Sequence, residues 1–181
     1  KKTVTTAYFT PPTIAQWIYQ ALTRLGLPPD ALGLEPGFAT GRFFAAASSP
    51  SLRFVGVEID ALSARIAKAL YPQHDLRIMD IRDAALPPVD FCIGNVPFSE
   101  VSYPWEGQHL PLHAYCLAKS LSALRPGGLL ALIITHYFMD RTNPSFRESL
   151  ATQADFLGAA RLPSGALGAT RVVADVVFFR K

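Results

Sequence analysis

The sequence predicts an α/β fold: a doubly wound, mostly parallel seven-stranded sheet with helices on both faces and its last strand antiparallel. Three observations carry this. Short apolar runs alternate with stretches of helical period along most of the chain, the pattern of successive strand–helix units. The run LLALIIT, 129–135, is apolar throughout, as a strand in the middle of a parallel sheet is when both its faces are covered. The last two apolar runs have no helical stretch between them, so they return side by side as an antiparallel pair at one edge.

Each element follows from its own residues. TIAQWIYQALTRL, 13–25, sets Ile14, Ile18, Ala21, Leu22 and Leu25 at helical spacing and stops at Gly26. ALGLE, 31–35, is a short strand, and GRFFAAAS, 41–48, opens a helix. RFVGVEI, 53–59, is a strand; ALSARIAKALY, 61–71, is a helix that Asp60 is placed to cap. DLRIM, 75–79, and VDFCI, 89–93, are strands. Residues 99–110 contain Pro104, Trp105 and Gly107 and read as a long loop. LHAYCLAKSLSAL, 112–124, is a helix ending before Pro126-Gly127-Gly128. After the apolar strand 129–135, Asn143-Pro144 reads as the cap and first position of a helix over 144–152. FLGAARL, 156–162, and VVADVVFF, 172–179, complete the sheet around PSGALGATR.

Bulk properties narrow the function classes. The 181 residues suit one domain, half of them hydrophobic and 17% charged, enough for a sizeable core. A net charge of +3, scattered without runs, is compatible with nucleic acid but is no polybasic arm. Cys92 and Cys116 lie in apolar contexts without paired spacing, which argues against a disulfide framework and for a reducing, cytoplasmic setting. His109 and His113 are four apart, but Pro111 between them breaks a shared helix face, so no metal is expected. No apolar run reaches the ~18 residues that a membrane span needs, and the first residues have no signal-peptide core. The chain opens on Lys1 rather than Met, so a piece of a longer polypeptide is expected.

In open α/β sheets ligands bind beyond the carboxyl ends of the strands, near the switch point. Four consecutive strand tips carry suggestive residues. After the first comes Glu35-Pro36-Gly37-Phe38-Ala39-Thr40-Gly41, a turn that brings backbone close to a ligand. It is neither G-x-G-x-x-G nor a P-loop, and its acid suits an ammonium better than a phosphate. Glu58-Ile59-Asp60 follows the second strand, and Glu58 is the candidate acceptor for both hydroxyls of a ribose. Asp80-Ile81 follows the third, where a carboxylate pairs with an adenine amino group and an apolar neighbour packs on the ring. Asn95-Val96-Pro97-Phe98 follows the fourth: an amide oxygen, a backbone carbonyl and a flat ring. Two acceptors so close fit the two hydrogens of an exocyclic amino group.

In this order the residues resemble the S-adenosylmethionine-dependent N6-adenine DNA methyltransferases, members of the N-P-P-[YF] amino-methyltransferases. The resemblance covers nearly the whole chain. AYFTPP (7–12) is similar to the N-terminal F-T-P-P motif, LEPGFATG (34–41) to the cofactor loop and VEID (57–60) to the ribose motif. MDI (79–81) is similar to the adenine-contacting motif and NVPF (95–98) to the catalytic N-P-P-[YF]. LRPGGLLALII (124–134) and the ending 162–181 resemble later sheet motifs, particularly of methylase domains within large phage- or plasmid-type methylase–helicase proteins.

The resemblance implies the class I Rossmann-like methyltransferase fold, over 1–181 as a single catalytic domain. It implies S-adenosyl-L-methionine, bound by Phe9, Thr10, Glu35, Gly37, Ala39, Gly41, Glu58, Ile59, Asp80, Ile81 and Asn95, and a flipped DNA adenine held by Asn95, Val96, Pro97 and Phe98. The chain departs from the family's pattern at Ala39, where a glycine is usual, and at Val96, where a proline is usual. The target-recognition region of this subclass lies C-terminal to the sheet motifs and is absent from this sequence. A recognition or helicase domain is therefore expected in further polypeptide or in a partner subunit.

Other readings stay open. The same motif acts on RNA bases and on protein glutamine, and Ala39 with Val96 suits a non-catalytic subunit that binds cofactor or nucleic acid. A five-position cytosine methylase needs a Pro-Cys nucleophile, which neither cysteine offers, and a nicotinamide enzyme needs the missing glycine. His136 and Tyr137 follow the fifth strand and are placed to touch a flipped base. Tyr103 and Trp105 either close over substrate or anchor their loop. Trp17 and Tyr19 suit packing; Arg42 and Arg141 are candidate phosphate contacts or solvated charges.

Overall fold

The computed structural model describes residues 10–99, 101–168 and 171–181. Helix α1 (Pro12–Arg24) leads into β1 (Leu32–Pro36), α2 (Arg42–Ala45), β2 (Arg53–Glu58), α3 (Ala61–Leu70), β3 (Asp75–Ile78) and β4 (Val89–Asn95). A hairpin, β5 (Ser102–Trp105) and β6 (Gln108–Pro111), precedes α4 (Leu112–Ala123) and β7 (Leu124–Thr135). Then come α5 (Tyr137–Asp140), α6 (Ser145–Ala151), β8 (Asp155–Leu162) and β9 (Ala174–Arg180).

Seven strands form one sheet in the order β3-β2-β1-β4-β7-β9-β8. The pairs from β3 through to β7 are parallel, and β9 lies antiparallel between β7 and β8. The chain leaves β1 towards β2 on one side and returns to β4 on the other. The switch point therefore lies between β1 and β4, whose carboxyl ends open onto a common crevice.

Both faces of the sheet are covered, which is why its central strands can be apolar throughout. Along β7, Leu129, Ala131 and Ile133 join the core under α1 and α2, while Leu130, Leu132 and Ile134 join the core under α4. The first layer is aromatic: Phe44 packs tilted on Phe54 at 4.9 Å, and Phe54 packs edge to face on Phe91 at 5.5 Å. Tyr19 of α1 belongs to the same core and spends its buried hydroxyl on the Phe43 carbonyl at 3.0 Å.

Several sequence expectations change. Residues 99–110 are not a long loop: β5 and β6 pair antiparallel, closed by Glu106 at φ +46° and Gly107 at φ +81°. Two successive left-handed residues make a two-residue hairpin turn that matches strand twist. Pro104 and the unusual Glu106 hid it, since proline argues against a strand and Asn or Asp is the usual partner of that glycine. The helix expected over 41–48 is a single turn, Arg42–Ala45. The short helix α5 was not expected at all, being too brief to show a period. The cap expected at Asn143 falls one residue later: Pro144 is the N-cap of α6 and Asn143 lies just outside, its Oδ1 accepting the Ser145 N–H at 3.0 Å, whereas Asp60 caps α3 through the Ser63 N–H at 2.9 Å.

Gly33 in β1 exists to make room. A Cβ there would stand 2.5 Å from the Phe91 ring and 2.8 Å from the Phe54 ring, both fully buried. Gly33→Ala is expected to destabilise the fold by about 1–3 kcal/mol through overpacking. A thermal melt should show a midpoint lowered by roughly 2–10 °C, and Phe91→Leu in the same chain should restore part of the loss.

Candidate active site

The crevice is built from the tips of β1, β2, β3 and β4. At β1 the chain turns at once: Gly37 takes φ +69° and donates its N–H to the Val57 carbonyl at 2.7 Å. A Cβ on Gly37 would come within 3.6 Å of Pro97, so the loop after β1 lies against the segment after β4. Gly41 takes φ +85°, and a Cβ there would meet the Phe44 and Tyr71 rings at 2.7 Å. Ala39 stands at φ +45°, a left-handed conformation that a Cβ makes costly. A glycine at this position would take the same φ without that cost.

Glu58, the last residue of β2, locks this loop. One carboxylate oxygen accepts the Ala39 N–H at 2.8 Å and the other accepts the Asp60 N–H at 2.8 Å. Each oxygen keeps a second lone pair, so the carboxylate can still accept from a diol. Ile59 beside it is 66% exposed, an apolar surface at the mouth of the crevice.

Glu35 is the unusual group. It lies on β1 with 2% exposure, and its Oε2 has no hydrogen-bond partner. Burial raises its pKa well above the ordinary carboxyl value, and the nearby Glu58 charge adds to the effect. Its side chain runs past Gly94, where a Cβ would sit 3.5 Å from the Glu35 Cγ. A bulkier residue at 94 would close the space between this carboxyl and β4.

At the third tip Asp80 is engaged. It accepts the Arg82 N–H at 2.9 Å and pairs with the Arg82 guanidinium at 2.6 Å, which holds its carboxyl below the usual range. Arg82 in turn lies 4.4 Å over the Tyr103 ring of the hairpin. Ile81 is 9% exposed and belongs to the core beneath α4.

Asn95 ends β4. Its Nδ2 donates to the Thr10 hydroxyl at 3.3 Å, bringing Thr10 against the NVPF stretch across 85 residues of chain. Thr10 is buried; Phe9 lies outside the described residues. Val96 is 1% exposed, packed in the core, and its N–H donates to the Ile133 carbonyl of β7 at 3.2 Å. Pro97 and Phe98 are half-buried beyond it.

Next to Phe98 a cleft of about 430 Å³ opens at the carboxyl end of β7. Phe98, His113, Thr135, His136, Tyr137 and Arg171 contribute to its lining. His136 is fixed there: its Nδ1 is 3.0 Å from the Val173 carbonyl, and its ring lies tilted by 33° against Tyr137 at 4.1 Å. Arg161 braces the short helix carrying them, pairing with Asp140 at 2.6 Å and with the buried Asp175 at 2.9 Å. Burial and then the Arg141 charge push the His113 pKa down to about 4.

The sequence reading missed His113 and Arg171 as cleft residues, and Arg82 as the partner of Asp80. His113 and Arg171 come from distant segments with no motif to mark them; only Arg82, two residues after Asp80, had a local signal. Tyr103 and Trp105 pack edge-on against Tyr115 of α4 at 5.9 and 5.3 Å, so they anchor the hairpin. Among the described residues no cluster of three or more His, Cys, Asp or Glu is arranged to hold a metal. No helix among them is long and apolar enough to cross a membrane.

No protein-family profile matches the chain. In sequence it is 29% identical over 187 residues to the defense against restriction protein B of Escherichia phage P1, covering 96% of this chain and 8% of that protein. In structure it superposes with a TM-score of 0.83 on the Listeria monocytogenes protein assigned to the class I S-adenosylmethionine-dependent methyltransferases. That match is 17% identical and covers 99% of this chain and 63% of the other. With a TM-score of 0.81 it superposes on the type I restriction-modification methyltransferase subunit of Streptococcus thermophilus, 16% identical over 96% of this chain and 44% of that one. The chain thus spans under a tenth of the phage protein and less than two thirds of either solved chain. Its fold is that of the class I S-adenosylmethionine-dependent methyltransferases.

Proposed function

We propose that the chain is the catalytic domain of an S-adenosyl-L-methionine-dependent methyltransferase that modifies the N6 amino group of adenine in DNA. One observation carries the reading. A buried carboxyl with an unpartnered oxygen, Glu35, lies beside the β4 tip where Asn95 and Thr10 meet. A lone acid there is a standing cost unless a cation completes it. The cofactor's ammonium fits that role, Glu58 fits its ribose diol, and Ile59 offers apolar surface to its adenine. Asp80 can pair with the adenine amino group once Arg82 yields an oxygen. The likeness to the phage anti-restriction protein and to a restriction-modification subunit supports DNA as the substrate. Recognition of a target sequence, and any helicase partner, falls to polypeptide other than this domain.

S-adenosylmethionine supplies an electrophilic sulfonium methyl. The chain supplies position and charge. Asn95 Oδ1 and the Val96 carbonyl accept the two amino hydrogens, which draws the nitrogen towards tetrahedral geometry and stabilises its developing positive charge. Phe98 offers a stacking face to a base taken out of the duplex, and the adjoining cleft receives it. Arg171 at the cleft mouth suits the nucleic-acid backbone.

Calorimetric titration with S-adenosylmethionine, followed by labelled-methyl transfer to DNA, RNA and protein pools, tests the reading. Binding with transfer to adenine in DNA is expected. Absence of cofactor binding would sink it, transfer to RNA or protein would replace the acceptor, and binding with no transfer would favour a non-catalytic subunit. Asn95→Ala should lower transfer by at least about 100-fold, far more than it weakens cofactor binding.

Glu35→Gln should weaken cofactor binding about 10- to 100-fold, the loss of one charge-assisted pair. Because burial raises the pKa of the free carboxyl and an ammonium favours its ionised form, binding should lower that pKa and release protons, visible as a buffer-dependent enthalpy. The raised pKa also means that the free fold loses stability as pH climbs from the unfolded carboxyl range through the raised value. Glu35→Gln should therefore raise the melting midpoint of the free chain at neutral pH and leave it unchanged below about pH 4. Ala39→Gly removes a left-handed strain of about 1 kcal/mol already present in the free fold and should raise the thermal midpoint of the free chain by up to roughly 2–4 °C.

A further inference from the structure

Helix α3 turns its small residues inward and its large ones outward. Its fully buried positions are Ala64 and Ala67, while Leu62, Ile66 and Leu70 stand 68%, 44% and 61% exposed. Elsewhere the order is the ordinary one: α1 buries Ile18, Tyr19 and Leu22, and α4 buries Tyr115, Leu117 and Leu121. The outward three recur every fourth residue, so they form one stripe along about 15 Å of helix. Ile78 of β3, 40% exposed, adds to this surface: two residues on from the buried Leu76, it lies on the sheet face that α3 covers. β3 is the outermost strand on this side of the sheet. Five of the ten large hydrophobic side chains exposed among the described residues fall between Ile59 and Ile78, a concentration that marks a contact surface rather than scatter.

The charge beside the stripe selects what covers it. Arg65 and Lys68 are the only charged residues of α3, both exposed, and at about 100° per residue they fall together on one flank of the stripe. Among the described residues neither makes a salt bridge. Asp60 at the helix start is engaged in the cap, and Asp75 beyond its end is bonded to Arg77, with Lys68 adding only its field. A second copy of this helix brings two more cations and no unengaged carboxylate, which disfavours self-pairing. Two cations are also few for an anionic lipid surface, which is recognised by clusters of about four to eight. A protein helix with an apolar stripe of its own and carboxylates along one flank satisfies both features at once. The two solved chains that share this fold match it over 63% and 44% of their lengths, so in those proteins the fold stands beside further polypeptide.

We propose that the outer face of α3, with Ile78 beside it, is a docking surface for an acidic amphipathic α-helix of a partner protein. The partner's apolar stripe lies against Leu62, Ile66 and Leu70, and its carboxylates face Arg65 and Lys68. Ile59 stays outside this contact, at the mouth of the crevice. The proposal goes beyond the reading of the crevice and holds whatever reaction takes place there.

Two synthetic helical peptides test it, both with leucine at every fourth position, one with glutamate along the flank and the other with lysine. In calorimetric titration of the whole chain the glutamate peptide should bind at least about 10-fold more tightly than the lysine peptide. Nitrogen-15 amide shifts on binding should be confined to residues 61–78. Ile66→Glu sets an unpaired carboxylate in the contact and should weaken the glutamate peptide at least about 10-fold, with the thermal midpoint moved by no more than about 2 °C because the position is exposed. Arg65→Glu together with Lys68→Glu should reverse the preference, so that the lysine peptide binds the tighter, a result that loss of folding cannot produce. No binding of either peptide, equal binding of both, or an unchanged preference in the charge-reversed chain would overturn the proposal. A dimer in sedimentation equilibrium that Ile66→Glu dissolves would give the face to a second copy. Binding to phosphatidylglycerol vesicles that Ile66→Glu abolishes would give it to a membrane, and either result overturns the proposal.

Discussion

Burial of the central strands on both faces is the constraint that shapes everything else in this molecule. β1, β4 and β7 have no solvent-facing side, so nothing polar can be displayed along their length without a partner. Chemistry is pushed to their carboxyl ends, where the backbone leaves the sheet. Most of the candidate groups stand at or just past those ends: Glu35 and Gly37 at β1, Glu58 at β2, Asp80 after β3, Asn95 at β4, His136 after β7. Glu35 differs from the rest: it lies within β1, buried like its apolar neighbours, and burial is the largest cause of its raised pKa.

The tips are also coupled to one another. Glu58 ties the turn after β1 to the start of α3 through two backbone bonds, and Asn95 ties β4 to the N-terminal stretch through Thr10. Arg82 ties Asp80 to the hairpin through Tyr103. The longer of these links join residues 19 and 85 positions apart. A ligand seated in the crevice would touch a surface already assembled by the fold, which keeps the ordering cost of binding low.

The order and type of the sheet strands were legible because apolar period and run length are local properties. So were the four strand-tip motifs, which sit in short contiguous stretches. The hairpin was not, since Pro104 contradicts a strand and its turn uses Glu106. Nor were the cleft residues His113 and Arg171, which meet only when α4 and the segment before β9 are brought together. The meaning of Ala39 was half legible: a missing glycine can be seen in the sequence, but its left-handed φ cannot. The meaning of Asp80 was altered by Arg82, because a motif names an acid and not the partner that occupies it.

Val96 shows how a departure from a pattern is absorbed. Proline at this position would stiffen the segment through its ring and offer no N–H. Valine has the N–H, and the chain donates it to Ile133 of the neighbouring strand. Stiffness that a covalent ring would make permanent is here lent by the sheet. A hydrogen bond of this kind opens and closes with the local unfolding of its strand. The Val96 amide therefore serves as a natural reporter: its hydrogen-exchange rate measures how often the segment at the end of β4 loosens, a quantity that a chain with proline at this position could never reveal.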